Sequence, residues 1–514
     1  MEEQKSAAIE LRNITKTFGK VVANKNISLR VNRGEILSIL GENGSGKTTL
    51  MNMISGIYFP DEGQIFIDGK EAVIASPKDA FDYKIGMIHQ HFKLVDIFSA
   101  VENIVLGFEE EGGYNIRRSA ERILGISEQY GFHLDPMKKI YDMSVSEKQM
   151  VEIIKVLYRG ADILILDEPT AVLTPQETQN LFEILRRMRA DGKAIVIITH
   201  KLHEVLSLSD RVAVLRKGEY IGTVKTAETN EAQLTEMMVG KKVSLNIERS
   251  QPVNPVKRLE VRNVNCKEHG VQILKDVSFE VNSGEILGIA GIAGSGQREL
   301  LEAIAGLQGL QNGEIFYYDP KNGEKCNLRD KTPLQIRDMG VRLSFVPEDR
   351  LGMGLVGNMD ITDNMMLRSY RSGKSVFVKR KPPKDLAEQI IEQLDVVTPS
   401  VSTPVRRLSG GNVQKVLVGR EIAASPTVLM AAYPVRGLDI NSSYLIYNLL
   451  NQQKKAGVAV IFVGEDLDVL LELCDRIMVI GSGRITGIVD GRTATKEQIG
   501  LLMTKTDGGK THEQ

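Results

Sequence analysis

The chain is poor in cysteine, carries no excess of charge of either sign and contains no long apolar run. Cys266, Cys326 and Cys474 are the only cysteines in 514 residues, all in the second half and without the close spacing of a zinc or dithiol motif. They exclude a disulfide scaffold and fit a reducing compartment. The 65 basic and 66 acidic residues nearly cancel. No broad positive field is therefore available to hold a phosphate backbone, and nucleic acid is not an expected partner. Apolar stretches such as Val458 to Val463 fall far short of the roughly 20 residues that a membrane-spanning helix needs. The start, Met1-Glu2-Glu3, lacks the basic segment and apolar run of an export signal. If the protein works at a membrane, it is expected to be peripheral, with other chains supplying the spanning helices. What remains is ordinary globular composition, 42% hydrophobic and 25% charged, at a length that implies two or more domains.

The strongest organisational signal is an internal repeat. The segment "GEILSIL" precedes Gly41, and "GEILGIA" precedes Gly291, 250 positions later. Ser144 and Ser409, Asp167 and Ala432, and His200 and Glu465 are each 265 positions apart. The growth of 15 positions in the offset implies insertions in the second copy, expected around Tyr317 to Lys331. In each copy, short apolar strands alternate with longer helical patterns, as in "ADILILDEP", "TPQETQNLFEILRRMRADG" and "AIVIITH". This rhythm predicts an α/β fold: tandem domains, each with a mainly parallel sheet core flanked by helices. The boundaries expected are a first domain at 1–243, a polar, proline-containing linker at 244–256, a second domain at 257–503 and a disordered tail at 504–514.

The first half holds a complete set of phosphate-handling groups. Gly41, Glu42, Asn43, Gly44, Ser45, Gly46, Lys47 and Thr48, followed by Thr49, match G-x-x-x-x-G-K-[ST] between a strand and a helix. Small residues let backbone N–H groups wrap phosphates, the helix N-terminus adds a favourable dipole, Lys47 reaches the β- and γ-phosphates, and the Thr48 hydroxyl can ligate Mg²⁺. Downstream, the strand Ile163 to Leu166 delivers Asp167 and Glu168 at its C-terminal edge, where α/β sheets bind their ligands. Such a pair also ends ordinary solvated strands; the glycine loop upstream favours a metal-shell role for Asp167 and polarisation of water by Glu168. His200 ends the next apolar strand, and Gln90 lies between the loop and the carboxylates.

Taken in order, the glycine loop, Gln90, a serine-led signature, Asp167-Glu168 and His200 resemble the motifs of the ATPases of ATP-binding cassette (ABC) systems. The resemblance implies a fold in which an antiparallel β portion and a helical subdomain join each parallel core. It also implies ATP and Mg²⁺ as ligands, Gln90 on the metal and sensing a membrane partner, His200 on the γ-phosphate and Phe18 stacked on adenine. In that family, each ATP lies between the glycine loop of one domain and the signature of another. The second half keeps Leu408-Ser409-Gly410-Gly411-Asn412, in which a hydroxyl and close-approaching N–H groups open a helix. The first-half counterpart, Met143-Ser144-Val145-Ser146-Glu147, has lost both glycines; Val145 would crowd a phosphate and Glu147 would repel it. In the second half Lys47 becomes Gln297, Thr48 Arg298, Gln90 Glu348, Asp167 Ala432, Glu168 Tyr433 and His200 Glu465. With the two domains paired head to tail, every intact element falls in one site and every degenerate one in the other.

"GMIHQHFKLVD", "VENIVLG", "LYRGADILILDEPTAVLTPQE" and "VPEDRLGMGLV" further resemble ATPases of bacterial nucleoside and simple-sugar importers. That resemblance implies two transmembrane permease subunits, an extracytoplasmic substrate-binding protein and a place at the cytoplasmic face of the membrane. Ser146 and Ala432-Tyr433 depart from the pattern, where a glycine and a more polar pair are expected. Nucleosides are the expected cargo, with ribose- or galactose-like sugars as the alternative. Soluble twin-cassette ATPases of ribosomes or DNA usually carry two complete sites and charged or zinc-binding insertions, which are missing here. A regulatory pseudo-ATPase is disfavoured by intact Lys47, Glu168 and His200. The segment Met359 to Met366, with three methionines, reads either as an adaptable docking surface or as packing inside the helical subdomain.

Overall fold

The computed structural model describes residues 6–504 except 20, 90–91, 109–114, 172, 241–246, 248, 253, 269, 293, 339–342, 348, 371–377 and 437. It divides into two compact units, Met1–Ser244 and Leu245–Gln514. Gln90 and Glu348, positions 244–246, 248 and 253 of the linker and all of the tail after Thr504 lie outside the described residues. Among the described residues, no helix is long and apolar enough to cross a membrane.

The first unit is built on two sheets. One is antiparallel, in the order Val21–Asn32, Ala7–Phe18, Glu62–Ile67, Lys70–Ala72. The other runs Glu219–Lys225, Arg211–Arg216, Ile36–Leu40, Ala194–Thr199, Ile163–Asp167, Ile85–Ile88, and is parallel throughout except for its first hairpin. Its central strands are continuous apolar runs because both faces are covered. Ile163 and Ile165 enter one core with the antiparallel sheet and the helix Lys47–Ile54. Leu164 and Leu166 enter the other, with the helices Ala100–Val105, Ile116–Tyr130 and Val145–Tyr158. The glycine loop and the two carboxylates therefore emerge from the same, C-terminal edge of one rigid sheet.

The second unit repeats this arrangement strand for strand, with sheets of the same order. The alternation of parallel strands and helices expected from the sequence is what both units show. The extra residues are distributed differently from the expectation. The offset rises from 250 to 255 across the hairpin Asn312–Tyr318 and Lys325–Asn327, reaches 261 at the helix Ile361–Met366 and is 265 by the short helix Val405–Arg407 that leads into the helix Gly410–Ala423. About a third of the insertion therefore sits near Tyr317 to Lys331, and the rest lies between there and the signature helix. In the methionine segment, Met365 is buried in the core and Met359 is exposed, so the packing role holds for only part of it.

Part of the segment read as a linker is tied into the second unit. Ile247 packs against its core. Arg249 donates to the carbonyls of Leu471, at 2.9 Å, and Cys474, at 2.5 Å. Lys454, with its side chain 1% exposed, donates to Ser250 O at 2.6 Å and pairs with Asp475 at 2.7 Å. Asp475 also accepts from the backbone of Ile286 at 2.9 Å, so it joins the linker anchor to the start of the central strand Ile286–Ala290. Removing one partner of a buried pair strands the other charge. Asp475→Ala is expected to destabilise the second unit by about 3 to 5 kcal/mol, measured as a lowered thermal transition of the full chain; a change within experimental error would show that the pair is dispensable.

Candidate active site

The strand Ile36–Leu40 hands the chain to the glycine loop, and the helix Lys47–Ile54 carries it away. Gly44 and Gly46 have φ of 81° and 96°, the left-handed region that favours glycine. A Cβ on Gly46 would sit 2.4 Å from Ala23 O, and one on Gly41 2.4 Å from Leu215 O. Asn24 Nδ2 donates to Gly46 O at 3.1 Å. The loop is thus clamped by neighbouring strands into a fixed concavity. Lys47 folds into it, donating to Gly41 O at 2.6 Å and Glu42 O at 3.0 Å. Burial pulls its pKa down, against the opposing pull of Glu168, Asp167 and Glu42. Ser45 Oγ is buried with no hydrogen-bond partner among the described residues. An orphan hydroxyl and a desolvated ammonium satisfied only by carbonyls are groups that an anionic oxygen would satisfy better. Asn43, Gly44 and Thr48 are exposed, and Thr49 is half-buried.

Asp167 and Glu168 end the strand Ile163–Asp167, which is separated from Ile36–Leu40 by the strand Ala194–Thr199, and both act electrostatically on Lys47 in this loop. Burial and the adjacent Glu168 push the Asp167 carboxyl up to about 6, against Lys47 and a hydrogen bond to Thr48. Glu168 lies in the left-handed region at φ 47°, held by its N–H to Ile198 O at 2.9 Å. Such a conformation costs on the order of 1–3 kcal/mol and persists only where its surroundings enforce it. His200 Nδ1 lies 2.9 Å from Glu168 Oε1, and this hydrogen bond, outweighing burial, holds the Glu168 carboxyl below its usual range. Thus the two adjacent carboxylates are driven apart, one upward and one downward, as paired groups with different tasks are.

Phe18 ends the strand Ala7–Phe18, 44% exposed, with the Tyr58 ring steeply inclined to it and 5.2 Å away between centroids. Tyr58 was not anticipated from the sequence, and neither was a buried polar cluster behind the carboxylates. Thr170 donates to both carboxylate oxygens of Glu204 at 2.7 and 2.6 Å, and Lys201 pairs with Glu204 at 3.1 Å and donates to Thr170 O at 3.2 Å. The signal available was positional: Thr170 is two residues after Glu168, and Lys201 directly follows His200.

The two signature segments differ in what their helix N-termini hold. In the first unit, Ser144 and Glu147 form a capping box: Ser144 Oγ accepts from Glu147 N at 3.2 Å, and Glu147 Oε2 accepts from Ser144 N at 2.7 Å. Lys138 neutralises Glu147 at 2.6 Å. The expected repulsion by Glu147 is therefore joined by occupancy, because an internal carboxylate already takes the place an anion would have. In the second unit, Ser409 makes no side-chain cap. Its hydroxyl accepts from Asn412 Nδ2 at 2.9 Å, and Asn412 Oδ1 accepts from Val397 N at 3.0 Å. Ser409 and Gly410 are exposed and Gly411 is half-buried, leaving the helix N-terminus uncovered by any acid of its own first turn.

In the glycine loop of the second unit, Gly294 and Gly296 have φ of 84° and 103°, as left-handed as Gly44 and Gly46. Gln297 donates to Ile292 O at 3.1 Å, an uncharged copy of the Lys47 contact. Arg298 is engaged by Glu302 at 2.7 Å. Tyr433 repeats the left-handed turn at φ 48°, and Glu465 pairs with Arg436 at 3.3 Å. Val435 and Val469 stand where Thr170 and Glu204 do, packed against the core.

An acid whose pKa is raised by folding keeps its proton in the folded chain after the unfolded chain has lost it, so stability falls as pH rises from about 4 to about 6. Without nucleotide and with metal chelated, Asp167→Asn is expected to raise the stability of the first unit at pH 7 by about 1 to 3 kcal/mol. The gain should shrink as pH is lowered toward 5. Thermal melts across that range decide it, and a gain that does not change with pH would refute this origin.

The ABC transporter family matches residues 24–171 and 274–434. The chain is 41% identical to the "Nucleoside import ATP-binding protein NupA" of Lactococcus lactis subsp. cremoris, covering 98% of this chain and 99% of the relative. It is 42% identical to the "Guanosine import ATP-binding protein NupO" of Bacillus subtilis, with the same coverage. It is 37% identical to the "Ribose import ATP-binding protein RbsA" of Clostridium tetani, over 96% of each. Among solved structures, an archaeal ribosome recycling factor in complex with a ribosomal stalk protein aligns with a TM-score of 0.60 over 93% of this chain and 90% of that one, at 16% identity, a likeness of fold alone. A family match in both halves, with identity of this level along the whole length, makes the chain a member of the ABC transporter family, an ATPase with two ATP-binding cassettes in one polypeptide.

Proposed function

We propose that the chain is the ATP-hydrolysing subunit of a nucleoside import system, acting at the cytoplasmic face of the cell membrane beneath two transmembrane permease subunits. An extracytoplasmic substrate-binding protein delivers cargo to the permease. Relatives named for nucleoside and guanosine import share more identity with the chain than the relative named for ribose import does. Simple sugars are the second reading, supported by that ribose relative. Cargo is selected by the partners, and the chain supplies the work.

The observation that carries the catalytic reading is the Glu168–His200 contact at 2.9 Å beside buried Lys47, a constellation that only the first half has. The glycine loop receives the phosphates of ATP, Ser45 Oγ and the loop N–H groups gain acceptors, and Lys47 exchanges loop carbonyls for phosphate oxygens. Thr48, Asp167 and Gln90 are the residues that would hold Mg²⁺, which would supply neutralisation of phosphate charge. Glu168 accepts a hydrogen bond from the attacking water and orients it toward the γ-phosphorus, while His200 fixes the Glu168 carboxylate and meets the γ-phosphate. Phe18, beside Tyr58, offers a face to adenine.

The other side of the same triphosphate is supplied by Ser409, Gly410, Gly411 and Asn412, with the domains paired head to tail. The complementary pairing sets Ser144 and Glu147 opposite Gln297 and Ala432 and has no general base. ATP draws the domains together, and hydrolysis releases them. Permease helices near Gln90 and Glu348 convert that motion into alternating access.

Glu168→Gln is expected to lower ATP turnover by about 10²- to 10⁴-fold, whereas Tyr433→Phe keeps most of it; comparable losses would sink the asymmetry. Ser409→Ala should reduce turnover strongly. Ser144→Ala should cost about 1 kcal/mol of stability through its cap with turnover preserved. Steady-state ATPase assays paired with thermal melts read both outcomes, and a reversed order for the two serines would refute the head-to-tail assignment.

A further inference from the structure

The duplicated chain carries its own comparison: a catalytic strand end and a copy of it that has dispensed with catalysis. We propose that Thr170, Glu204 and Lys201 are positioning residues for ATP hydrolysis, clamping together the two strand ends that present Glu168 and His200. The proposal rests on the reading of Glu168 as the residue that activates water.

The strands Ile163–Asp167 and Ala194–Thr199 are hydrogen-bonded neighbours, but their pairing stops at Asp167 and Ile198. Beyond that point one backbone bond, from Glu168 N–H to Ile198 O at 2.9 Å, continues the pairing toward His200. The side chains of Glu168 and His200 meet in a hydrogen bond of 2.9 Å, and His200 has a side chain 50% exposed. A second bridge lies immediately behind. Thr170 is 2% exposed and Glu204 5%, and the hydroxyl of one meets both oxygens of the other. Lys201 closes the triangle through Glu204 Oε1 and Thr170 O, and its own N–H is held by Thr199 Oγ1 at 3.1 Å. The residue two after Glu168 is thereby fixed to the residue directly after His200, and rotation of either segment would break buried polar contacts.

A stability role does not account for this cluster. Burying a carboxylate against one lysine is at best marginal, and well-packed apolar replacements are often neutral or stabilising. The second half has made that replacement: Val435 for Thr170, Val469 for Glu204 and Asp466 for Lys201. Its corresponding turn remains left-handed at Tyr433, and the N–H of Tyr433 still donates to Val463 O at 3.0 Å. The backbone needs no polar clamp, and the half that lacks the clamp also lacks the pair it would align.

The test installs the second-half residues in the first half. In the full-length chain, Thr170→Val combined with Glu204→Val leaves Lys201, whose side chain is 26% exposed, to turn toward solvent, and is expected to leave the thermal midpoint within a few degrees of the parent and KM for ATP within about twofold. Its kcat should fall about tenfold or more. Thr170→Ser, which keeps the hydroxyl, should retain most of kcat, and Glu204→Gln measured alone gives the same kcat readout if the double variant folds poorly. A kcat within twofold of the parent in the double variant and in Glu204→Gln overturns the proposal. A fall in kcat that tracks a lowered midpoint and is shared by Thr170→Ser also overturns it. Glu168→Gln is assayed alongside: if it stays active the underlying reading fails, whereas an inactive Glu168→Gln beside a fully active double variant defeats the clamp alone.

Discussion

Glu168 leaves its strand in a left-handed turn, and its carboxylate then lies 2.9 Å from His200 on the neighbouring strand end. Much of the first unit can be understood as what makes that meeting possible. Two cores, one on each face of the parallel sheet, hold the strands Ile163–Asp167 and Ala194–Thr199 in register. The buried strand ends project past the sheet, where backbone pairing no longer dictates direction. From there, side-chain bonds take over the task of alignment. A turn with a cost on the order of 1–3 kcal/mol is tolerated because the sheet beneath it is rigid.

The same turn in the second unit separates scaffold from chemistry. Tyr433 keeps the backbone angle, and Gly294 and Gly296 keep the loop, while the groups that handle charge are replaced by Gln297, Ala432 and Val435. Topology, then, is carried by apolar periodicity and glycine placement, which the two halves share. That is why the fold was legible from sequence: continuous apolar runs bounded by turns specify buried parallel strands, and G-x-x-x-x-G-K-T specifies a strand, a loop and a helix in order. Glu168 and His200 were legible as strand-end residues in a known order. Thr170 and Glu204 were not, because a threonine and a glutamate 34 positions apart carry no pattern until the fold brings them together. Nor did the polar, proline-containing linker announce that Arg249 would cap the carbonyls of Leu471 and Cys474. Composition reports solvation, whereas docking depends on which carbonyls are left unpaired at a helix end.

The signature helices illustrate how one physical resource serves two ends. A helix N-terminus offers unpaired N–H groups and a partial positive charge. In the second unit, Ser409, Gly410 and Gly411 leave that resource open. In the first, Glu147 takes it for the helix itself, with Lys138 completing the neutralisation. The two uses are mutually exclusive at one site, since a capping carboxylate and a phosphate would compete for the same donors. The absence of the glycines and the presence of the glutamate thus act together in physical terms, since they make an open helix N-terminus into a capped one.

This gives a reason for the degenerate elements to accumulate together. A buried carboxylate such as Asp167, pushed up to about 6 by burial and its neighbour, is a standing cost to the folded chain unless a cation offsets it. A buried lysine such as Lys47 costs likewise, and each is relieved in part by the other. Once either member of such a set is lost, the remaining charge has less to balance it and its replacement by an uncharged residue becomes favourable. Ala432, fully buried in an apolar core, and Gln297, bonded to a loop carbonyl, are the expected end points of that relaxation. The first unit keeps the charged set, and its strand end combines a left-handed turn with buried polar groups.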